Sequence, residues 1–236
     1  MKALILAAGI GSRLKPLTDN RPKCMVKVNG KPILFKQLDN LIENGINDIT
    51  IVLGYKSEMI IQEIDKRYNQ VKFIINEFYY ETNNMYSTYL ASNEMRETEF
   101  VLMNADVYFD SSIIKELLNT KYKNSIVVEK ESYNDENMKV TCLDGRIIDI
   151  GKTISQDIAY GLSIDIYKFN SEGSRIFFNK IKEIIEKKRE KNLWTEVALN
   201  EIIKKTPFTL CQAKGRWIEI DNLEDLNRAE IMFDEC

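Results

Sequence analysis

Strand and helix patterns alternate through the first half of the chain, and this order constrains the fold more than any other feature. Short apolar runs typical of buried strands are separated by amphipathic stretches with helical spacing. Strands are predicted at 2–8, 48–54, 71–77 and 99–106, and helices at 31–45, 57–68, 83–95 and 111–119. A strand–helix alternation of this kind predicts a parallel sheet covered by helices on both faces.

The pattern changes after residue 120, where successive strands follow one another with tight turns. Strands are predicted at 125–132, 138–142, 146–152, 159–169, 208–214 and 217–220, and helices at about 171–190, 194–204 and 222–233. No linker rich in Pro, Gly or Ser separates the two parts. We therefore predict one α/β domain over 1–236, a Rossmann-like three-layer αβα fold with a mostly parallel, mixed central sheet.

Composition excludes several classes of function. The 236 residues carry a net charge of −3, so we expect no affinity for nucleic acid, and no apolar run is long enough to span a membrane. The apolar N-terminal run continues into a glycine-rich turn, which favours a buried first strand over a signal peptide and predicts a cytoplasmic protein. The abundance of Lys, Ile and Asn suits an AT-rich bacterium.

Histidine is absent, and this limits the chemistry further. A Ser-His or Cys-His triad and a His-ligated metal are excluded, so a metal would be a hard ion such as Mg²⁺ bound by oxygen. The four cysteines, Cys24, Cys142, Cys211 and Cys236, form no CxxC pair, and free thiols are expected.

The stretch LAAGIGSRLKPLTDNRPK, residues 6–23, is a glycine-containing loop after the first predicted strand. It lacks the GxxxxGK[ST] pattern of a P-loop. It also lacks the third glycine of a dinucleotide fingerprint, because Leu14 stands there, and no acid ends the second strand at Gly54 to bind a ribose. The loop runs for about 20 residues before the next helix, and loops of that length in compact domains are usually functional or disordered.

The loop composition suits a triphosphate better. Small residues let backbone N–H groups approach an anion closely. Arg13 and Lys23 add two cations at the same place. The alternative is a surface turn with solvated charges. The residues that we expect around the nucleotide phosphates are Leu6, Ala7, Ala8, Gly9 and Gly11, with Arg13 and Lys23 as catalytic cations.

The motif LAAGxGxRLxPLTxxxPK resembles the signature of the sugar-phosphate nucleotidyltransferases, and the chain is most similar to their phosphocholine-cytidylyltransferase-like branch. Further segments match in order over nearly the whole chain, among them NNMYSTYLA (83–91), NADVYF (104–109) and WIEIDNLEDLNRAE (217–230). The resemblance implies a nucleotidyltransferase fold, with residues 1–120 as the nucleotide-binding half. Residues 121–236 would bind the acceptor and complete the metal site.

Two carboxylates stand at the ends of predicted strands, where ligands bind in open α/β sheets. Asp106 ends the strand at 99–106, and Asp221 follows the strand at 217–220. The resemblance implies that this pair binds Mg²⁺; the alternative is a helix cap or a solvated acid. Glu219 is expected in a supporting position or in solvent, and Asp110 is interpreted as a cap of the helix at 111–119.

The resemblance also implies CTP as the nucleotide. Short polar side chains can recognise a pyrimidine edge by hydrogen bonds, and Asn83, Asn84 and Ser87 are expected to do so. Helix capping by Asn83 or Asn84 is the alternative interpretation. Asn104, just before Asp106, completes the predicted nucleotide-binding set.

For the acceptor phosphate, the resemblance implies Lys152, and Lys139 is a second candidate that a solvated side chain would explain equally well. The predicted acceptor site is completed by Gly161, Trp194 and Glu196. A choline acceptor would need an aromatic cage, for which Trp194, Tyr160 and Tyr133 are candidates. Met138 stands near a position where choline enzymes of this branch carry Trp, which disfavours choline.

The expected reaction is attack of an acceptor phosphate on the α-phosphorus of CTP, with release of pyrophosphate. A phosphate monoester is largely dianionic at neutral pH, so no general base is required. The resemblance implies phosphoglutamine as the favoured acceptor, as in bacterial capsule phosphoramidate synthesis. Phosphocholine, or a sugar 1-phosphate with UTP or dTTP, are alternatives. A non-catalytic nucleotide sensor is disfavoured because the loop cations and both carboxylates are present. A monomer or homodimer is expected.

Overall fold

The computed structural model describes residues 1–130 and 137–234; Tyr133 and Cys236 lie outside this part of the chain. Its strands are β1 (Lys2–Ala7), β2 (Lys27–Val28), β3 (Lys31–Pro32), β4 (Asp48–Leu53), β5 (Val71–Ile75), β6 (Phe100–Asn104), β7 (Val107–Phe109), β8 (Ser125–Glu129), β9 (Lys139–Leu143), β10 (Arg146–Gly151), β11 (Gly161–Phe169), β12 (Phe208–Gln212) and β13 (Trp217–Glu219). Its helices are α1 (Ile33–Glu43), α2 (Ser57–Asp65), α3 (Asn84–Leu90), α4 (Ser92–Met95), α5 (Ser112–Asn119), α6 (Ser171–Lys182), α7 (Thr195–Ile203) and α8 (Leu223–Met232).

The central sheet has the strand order β5-β4-β1-β6-β11-β8-β12-β10-β9. The pairs β5–β4, β4–β1, β1–β6 and β8–β12 are parallel, whereas β11 and β10 run antiparallel to their neighbours. The predicted mixed and mostly parallel sheet is therefore confirmed. Parallel register aligns Leu6 of β1 with Asn104 of β6, so the chain leaves both strands at the same edge.

Helices cover both faces of the sheet, because side chains alternate along each strand. In β1, Ala3 and Ile5 belong to the apolar core under α1, α2 and α5, and Leu4 belongs to the core under α3, α4, α6 and α7. This arrangement confirms the predicted three-layer αβα architecture. In the described part of the chain, no helix is both long and apolar enough to cross a membrane.

A small third core lies beside the sheet. Leu14 of the glycine loop, Val28 of the β2–β3 hairpin, Ile220 and Ala229 of α8 pack together there. The antiparallel pair β7–β13 joins this region to the end of β6. The loop that the sequence predicted as irregular is thus partly ordered by the hairpin and by its contact with the C-terminal helix.

Several element boundaries differ from those predicted. The helix at 83–95 is interrupted at Ala91, where the Ser92 hydroxyl donates to the Tyr89 carbonyl and competes with the helical hydrogen bonds. Strand β6 ends at Asn104, so Asp106 lies in the turn before β7 rather than in the strand. Helix α6 ends at Lys182 and continues as a wider turn over Glu183–Lys187.

Candidate active site

A cleft of about 940 Å³ opens at the edge of the sheet where β1 and β6 end. It extends from the glycine loop to the region around α7. Most of the predicted site residues line it: Leu6, Ala7, Ala8, Gly9, Arg13, Lys23, Asn83, Asn84, Ser87, Asn104, Asp106, Lys152, Trp194, Glu196 and Asp221. The sheet edge therefore brings together side chains from both halves of the sequence.

The two predicted metal carboxylates are brought together by the β7–β13 pair. Asp106 immediately precedes β7, and in the antiparallel register Glu219 of β13 lies opposite Val107. The pairing continues one step further, since the Ile220 N–H donates to the Asp106 carbonyl over 2.9 Å. Ile220 thus lies opposite Asp106, and the following residue, Asp221, is brought next to Asp106.

Two cations hold this carboxylate pair. Lys23 Nζ lies 2.8 Å from Asp106 Oδ2 and 2.6 Å from Asp221 Oδ1. Arg13 Nη2 lies 2.7 Å from Asp221 Oδ2. Burial alone would lower the pKa of Lys23, but the charges of Asp106 and Asp221 outweigh it and the net pKa is raised. Burial opposes ionisation of Asp221, yet Lys23 and Arg13 bring its pKa below the usual value.

Glu219 completes a group of three carboxylates. One oxygen from each of Asp106, Glu219 and Asp221 lies within 4.8 Å of the others. Burial, together with the charges of Asp106, Asp165 and Asp221, raises the pKa of Glu219 to about 9. Asp106 Oδ1 is buried and has no hydrogen-bond partner among the residues that the structure describes. An all-oxygen donor set with an unsatisfied buried oxygen fits a hard divalent cation.

The glycine loop carries Lys23 to this position. Gly11 has a left-handed backbone, with φ 71°, and a Cβ atom there would lie 2.6 Å from Lys23 Cβ. The Thr18 hydroxyl donates to the Gly11 carbonyl over 2.8 Å. Gly11 does not line the cleft itself. Its role is to let the two ends of the loop pack closely, so that Arg13 and Lys23 reach one carboxylate pair.

At the predicted base-binding end, the polar side chains also organise the local fold. Asn83 Oδ1 accepts from the Asn84 N–H at the start of α3, and Asn84 Oδ1 accepts from the Thr195 N–H at the start of α7. The Ser87 hydroxyl accepts from Asn76 Nδ2 over 3.1 Å. The capping interpretation of Asn83 is therefore correct. Asn83, Asn84 and Ser87 all line the cleft as well.

The far end of the cleft combines a cation, an aromatic ring and buried acids. Lys152 Nζ lies 4.7 Å from the centre of the Trp194 ring. On the same cleft, the Tyr167 hydroxyl donates to Glu196 Oε1 over 2.8 Å and lies 3.0 Å from Asp165 Oδ1. Burial and the nearby charges of Glu196 and Asp106 raise the pKa of Asp165 to about 8.

Comparison with known proteins agrees with this geometry. The model of the Nucleotidyl transferase family matches residues 2–146. The chain belongs to the nucleotidyl transferase family. It is 30% identical over 250 residues to the CTP:phosphoglutamine cytidylyltransferase of Campylobacter jejuni, and the match covers 96% of this chain and 98% of the relative. It is 41% identical over 115 residues to the choline-phosphate cytidylyltransferase of Streptococcus pneumoniae, covering 49% and 48% of the two chains.

Solved structures support the same assignment. The CTP:phosphocholine cytidylyltransferase from Streptococcus pneumoniae superposes with a TM-score of 0.81 at 27% identity, and 99% of each chain is covered. The inositol-1-phosphate CTP transferase from T. maritima superposes with a TM-score of 0.81 at 19% identity, which shows the shared fold. The predicted family and fold are confirmed.

Two residues that the sequence suggested for the acceptor do not line the cleft of this nucleotidyltransferase. Lys139 is 1% exposed, and its Nζ lies 3.3 Å from the Asn137 carbonyl. Gly161 is buried in β11, where a Cβ atom would lie 2.3 Å from the Glu129 carbonyl. Lys139 is thus a buried core residue, and Gly161 is required for strand packing. We remove both from the acceptor site.

Asp110 does not cap helix α5, contrary to the prediction. No side chain caps that helix, and both Asp110 carboxylate oxygens instead bind the Arg216 guanidinium, at 3.1 Å to Nε and 3.1 Å to Nη2. The Asp110 N–H donates to the Arg216 carbonyl in turn. Asp110 therefore fastens β7 to β13 beside the carboxylate group.

Sequence reasoning missed some cleft residues of this nucleotidyltransferase. Asp165 and Asn76 line the cleft, and Asn104 Nδ2 donates to Asp165 Oδ2 over 2.8 Å. Asp165 had a detectable signal, since Ser163, Asp165 and Tyr167 alternate along one face of β11. Asn76 follows β5 without a pattern that marks it.

The cysteines take no part in this site as nucleophiles. Cys24, Cys142 and Cys211 are free thiols in the described chain, as predicted. Cys24 follows Lys23 but is buried, and burial raises the pKa of its thiol to about 12. A thiolate is therefore not available at neutral pH.

Proposed function

We propose that the chain transfers CMP from CTP to the phosphate of a small phosphorylated metabolite, releases pyrophosphate, and uses phosphoglutamine as the acceptor. This proposal rests on the cleft, where two cations and three carboxylates from distant segments lie together beside the glycine loop. The end-to-end match to a CTP:phosphoglutamine cytidylyltransferase supports the choice of nucleotide and acceptor.

Asp106, Glu219 and Asp221 would hold Mg²⁺, because their oxygens lie close together and include a buried unsatisfied atom. When bound, the ion supplies charge neutralisation for triphosphate oxygens. We keep residues 1–120 as the proposed nucleotide-binding half and 121–236 as the half that adds Asp221, Lys152 and Glu196.

The chain's own residues would act by positioning and charge. The backbone of the loop at 6–11 would approach the phosphates, and Arg13 and Lys23 would neutralise charge that develops on the leaving pyrophosphate. The acceptor phosphate needs no general base, in agreement with the absence of histidine. Lys152, at the other end of the cleft, would orient the acceptor phosphate for in-line attack on the α-phosphorus.

The acceptor end favours an amino acid over choline. The Lys152 ammonium already lies over the Trp194 ring. A quaternary ammonium bound to the same ring would therefore be repelled by a like charge. Tyr160, another candidate wall, does not line the cleft, and Lys130 covers its ring at 4.6 Å. Glu196 and Asp165 would instead offer carboxyl oxygens as hydrogen-bond acceptors to a primary amine. Lys152 also offers a cation to a carboxylate.

A panel of substrates tests this proposal. Pyrophosphate release is measured with each of CTP, UTP, ATP and GTP, combined with phosphoglutamine, phosphocholine or glucose 1-phosphate, in the presence of Mg²⁺. The expected result is turnover with CTP and phosphoglutamine that exceeds every other pair. Preferred turnover of phosphocholine would overturn the acceptor. Preferred turnover of glucose 1-phosphate with UTP would overturn both the nucleotide and the acceptor.

A further inference from the structure

The carboxylates of Asp106 and Asp221 both bind the ammonium group of Lys23. Lys23 Nζ makes short contacts to both, at 2.8 Å and 2.6 Å. These two carboxylates also supply two of the three groups that lie within 4.8 Å of one another and suit a divalent cation. A Mg²⁺ ion binds its oxygens at about 2.0–2.1 Å. The ammonium and the metal would therefore compete for the same two side chains.

Charge makes joint occupancy costly. Asp106 and Asp221 carry two negative charges, and Lys23 and Arg13 pair with them as two positive charges. With Glu219 ionised as the third ligand, a divalent cation at this group would leave an excess of one positive charge within a few ångströms, in a partly buried place where screening is weak. Displacement of Lys23 frees both carboxylates at once, because its ammonium contacts Asp106 and Asp221 together.

The loop fixes the backbone of Lys23, whose charge lies at the end of a long aliphatic side chain. Lys23 begins a short helical turn over Lys23–Met25, whose Cys24 and Met25 side chains are buried. Gly11 packs closely against the base of the Lys23 side chain, since an added Cβ atom would lie 2.6 Å from Lys23 Cβ and 3.2 Å from Lys23 Cγ. Beyond it lies a flexible aliphatic chain with a point charge at its end. Arg13, in contrast, pairs with the outer oxygen Asp221 Oδ2.

We propose that Lys23 exchanges between two anionic partners, the Asp106–Asp221 pair and the nucleotide triphosphate. In one position it neutralises the carboxylates. In the other it releases them to the divalent cation and binds phosphate oxygens. The cation and the triphosphate then bind cooperatively, and the metal alone binds weakly, so that an assembled metal site forms only with the nucleotide present. This inference rests on the metal site in the proposed function.

The test measures binding of Mn²⁺ alone to the full chain by electron paramagnetic resonance, without nucleotide. Lys23→Met keeps the length of the stem and removes its charge. We expect this variant to bind Mn²⁺ at least about tenfold more tightly than the wild type, because no ammonium competes. Arg13→Gln removes one positive charge from the same pair and is the matched control; its affinity should change less than about threefold.

If Lys23→Met binds Mn²⁺ with the affinity of the wild type, the exchange is overturned. An equal gain in Mn²⁺ affinity in Arg13→Gln also overturns it, because the gain would then be a general effect of charge. Lys23→Gln replaces Lys23→Met should the latter fail to fold by circular dichroism. CTP turnover of the same wild-type preparation separates this inference from the proposed function. Turnover combined with unchanged Mn²⁺ affinity rejects the exchange alone. A gain in Mn²⁺ affinity in Lys23→Met without turnover by the wild type rejects the proposed transfer alone and keeps the competition between Lys23 and the cation.

Discussion

Asp110 and Arg216 form a two-pronged ion pair across the β7–β13 ladder, with both carboxylate oxygens within 3.1 Å of guanidinium nitrogens. The same guanidinium donates to the Met232 carbonyl near the end of α8 and lies over the Phe233 ring. Arg216 thus connects β7, β13 and the end of α8.

Arg216→Lys should therefore disturb the spacing of Asp106 and Asp221, because a lysine cannot form the forked pair. Both partners are partly exposed, so we expect a loss of unfolding free energy of only about 1 kcal/mol or less. We expect a larger effect on kcat/KM, a fall of roughly tenfold. Urea denaturation and steady-state kinetics measure the two quantities. Arg96→Lys, at a surface ion pair with Glu97, is the control and should leave kcat/KM unchanged. Equal kcat/KM in Arg216→Lys would show that the pair does not position the carboxylates.

Gly11 and Gly145 form a matched pair for testing the loop. Both have left-handed backbones, with φ 71° and 78°, but only at Gly11 would a Cβ atom collide, with Lys23 Cβ. Alanine at either place should cost about 1 kcal/mol of unfolding free energy from backbone strain. Only Gly11→Ala should also raise the KM for CTP, by displacing Lys23. A KM for CTP that stays normal in Gly11→Ala would contradict the role given to this packing.

Lys152 is predicted to serve the acceptor and not the nucleotide. Loss of a charge-assisted hydrogen bond to phosphate costs about 1.5–3 kcal/mol. Lys152→Met should therefore raise the KM of the phosphorylated acceptor by roughly 10- to 100-fold while the KM of CTP stays within about twofold. Lys130→Met is the control, since Lys130 also lies over an aromatic ring but outside the cleft. Equal effects on the two KM values would contradict an acceptor role.

Asp165 should make the protein less stable as pH rises. Its pKa is about 8 in the fold and 3.8 in its ordinary state, so between about pH 4 and pH 8 the folded protein binds the extra proton. Unfolding free energy then falls with increasing pH across this window. Asp165→Asn should reduce that fall between pH 5 and pH 8 by at least about 1 kcal/mol. Asparagine tolerates the left-handed backbone found here, φ 58°.

Urea denaturation at the two pH values measures this change. Asp65→Asn, at the exposed end of α2, should keep the pH dependence of the wild type. An identical pH dependence in Asp165→Asn and the wild type would show that Asp165 ionises normally in the folded protein.

Much of the fold and part of the site could be predicted because they depend on local patterns. The alternation of strands and helices determines the layers, and parallel strands end at one edge of a sheet. Asp106 and Asp221 were expected to act together because the family resemblance implied it, and the structure brings them to Lys23. The small residues of the loop predicted a site where backbone approaches phosphate. Only the structure shows that Gly11 allows the close packing of Lys23.

The remaining features depend on contacts between distant segments. The pairing of Asp110 with Arg216 requires the register of β7 and β13, which no local pattern specifies, and a cap was the simpler interpretation. Lys139 was a second candidate for the acceptor phosphate, with a solvated side chain as the alternative, yet it is buried. Asp165 lies on an alternating polar face of β11, but the left-handed backbone at this residue and the shifted register with β8 are irregularities that periodicity cannot predict.

The most direct test of the central claim is phosphorus NMR of the reaction of CTP and phosphoglutamine with Mg²⁺ and the purified protein. We predict that the CTP α-phosphorus signal is replaced by that of a cytidine diphosphate linked to glutamine, with an equal amount of pyrophosphate, and that Asp106→Asn, folded by circular dichroism, slows this by on the order of a thousandfold. Formation of CMP and pyrophosphate without the linked product, or normal product formation by Asp106→Asn, would contradict the account.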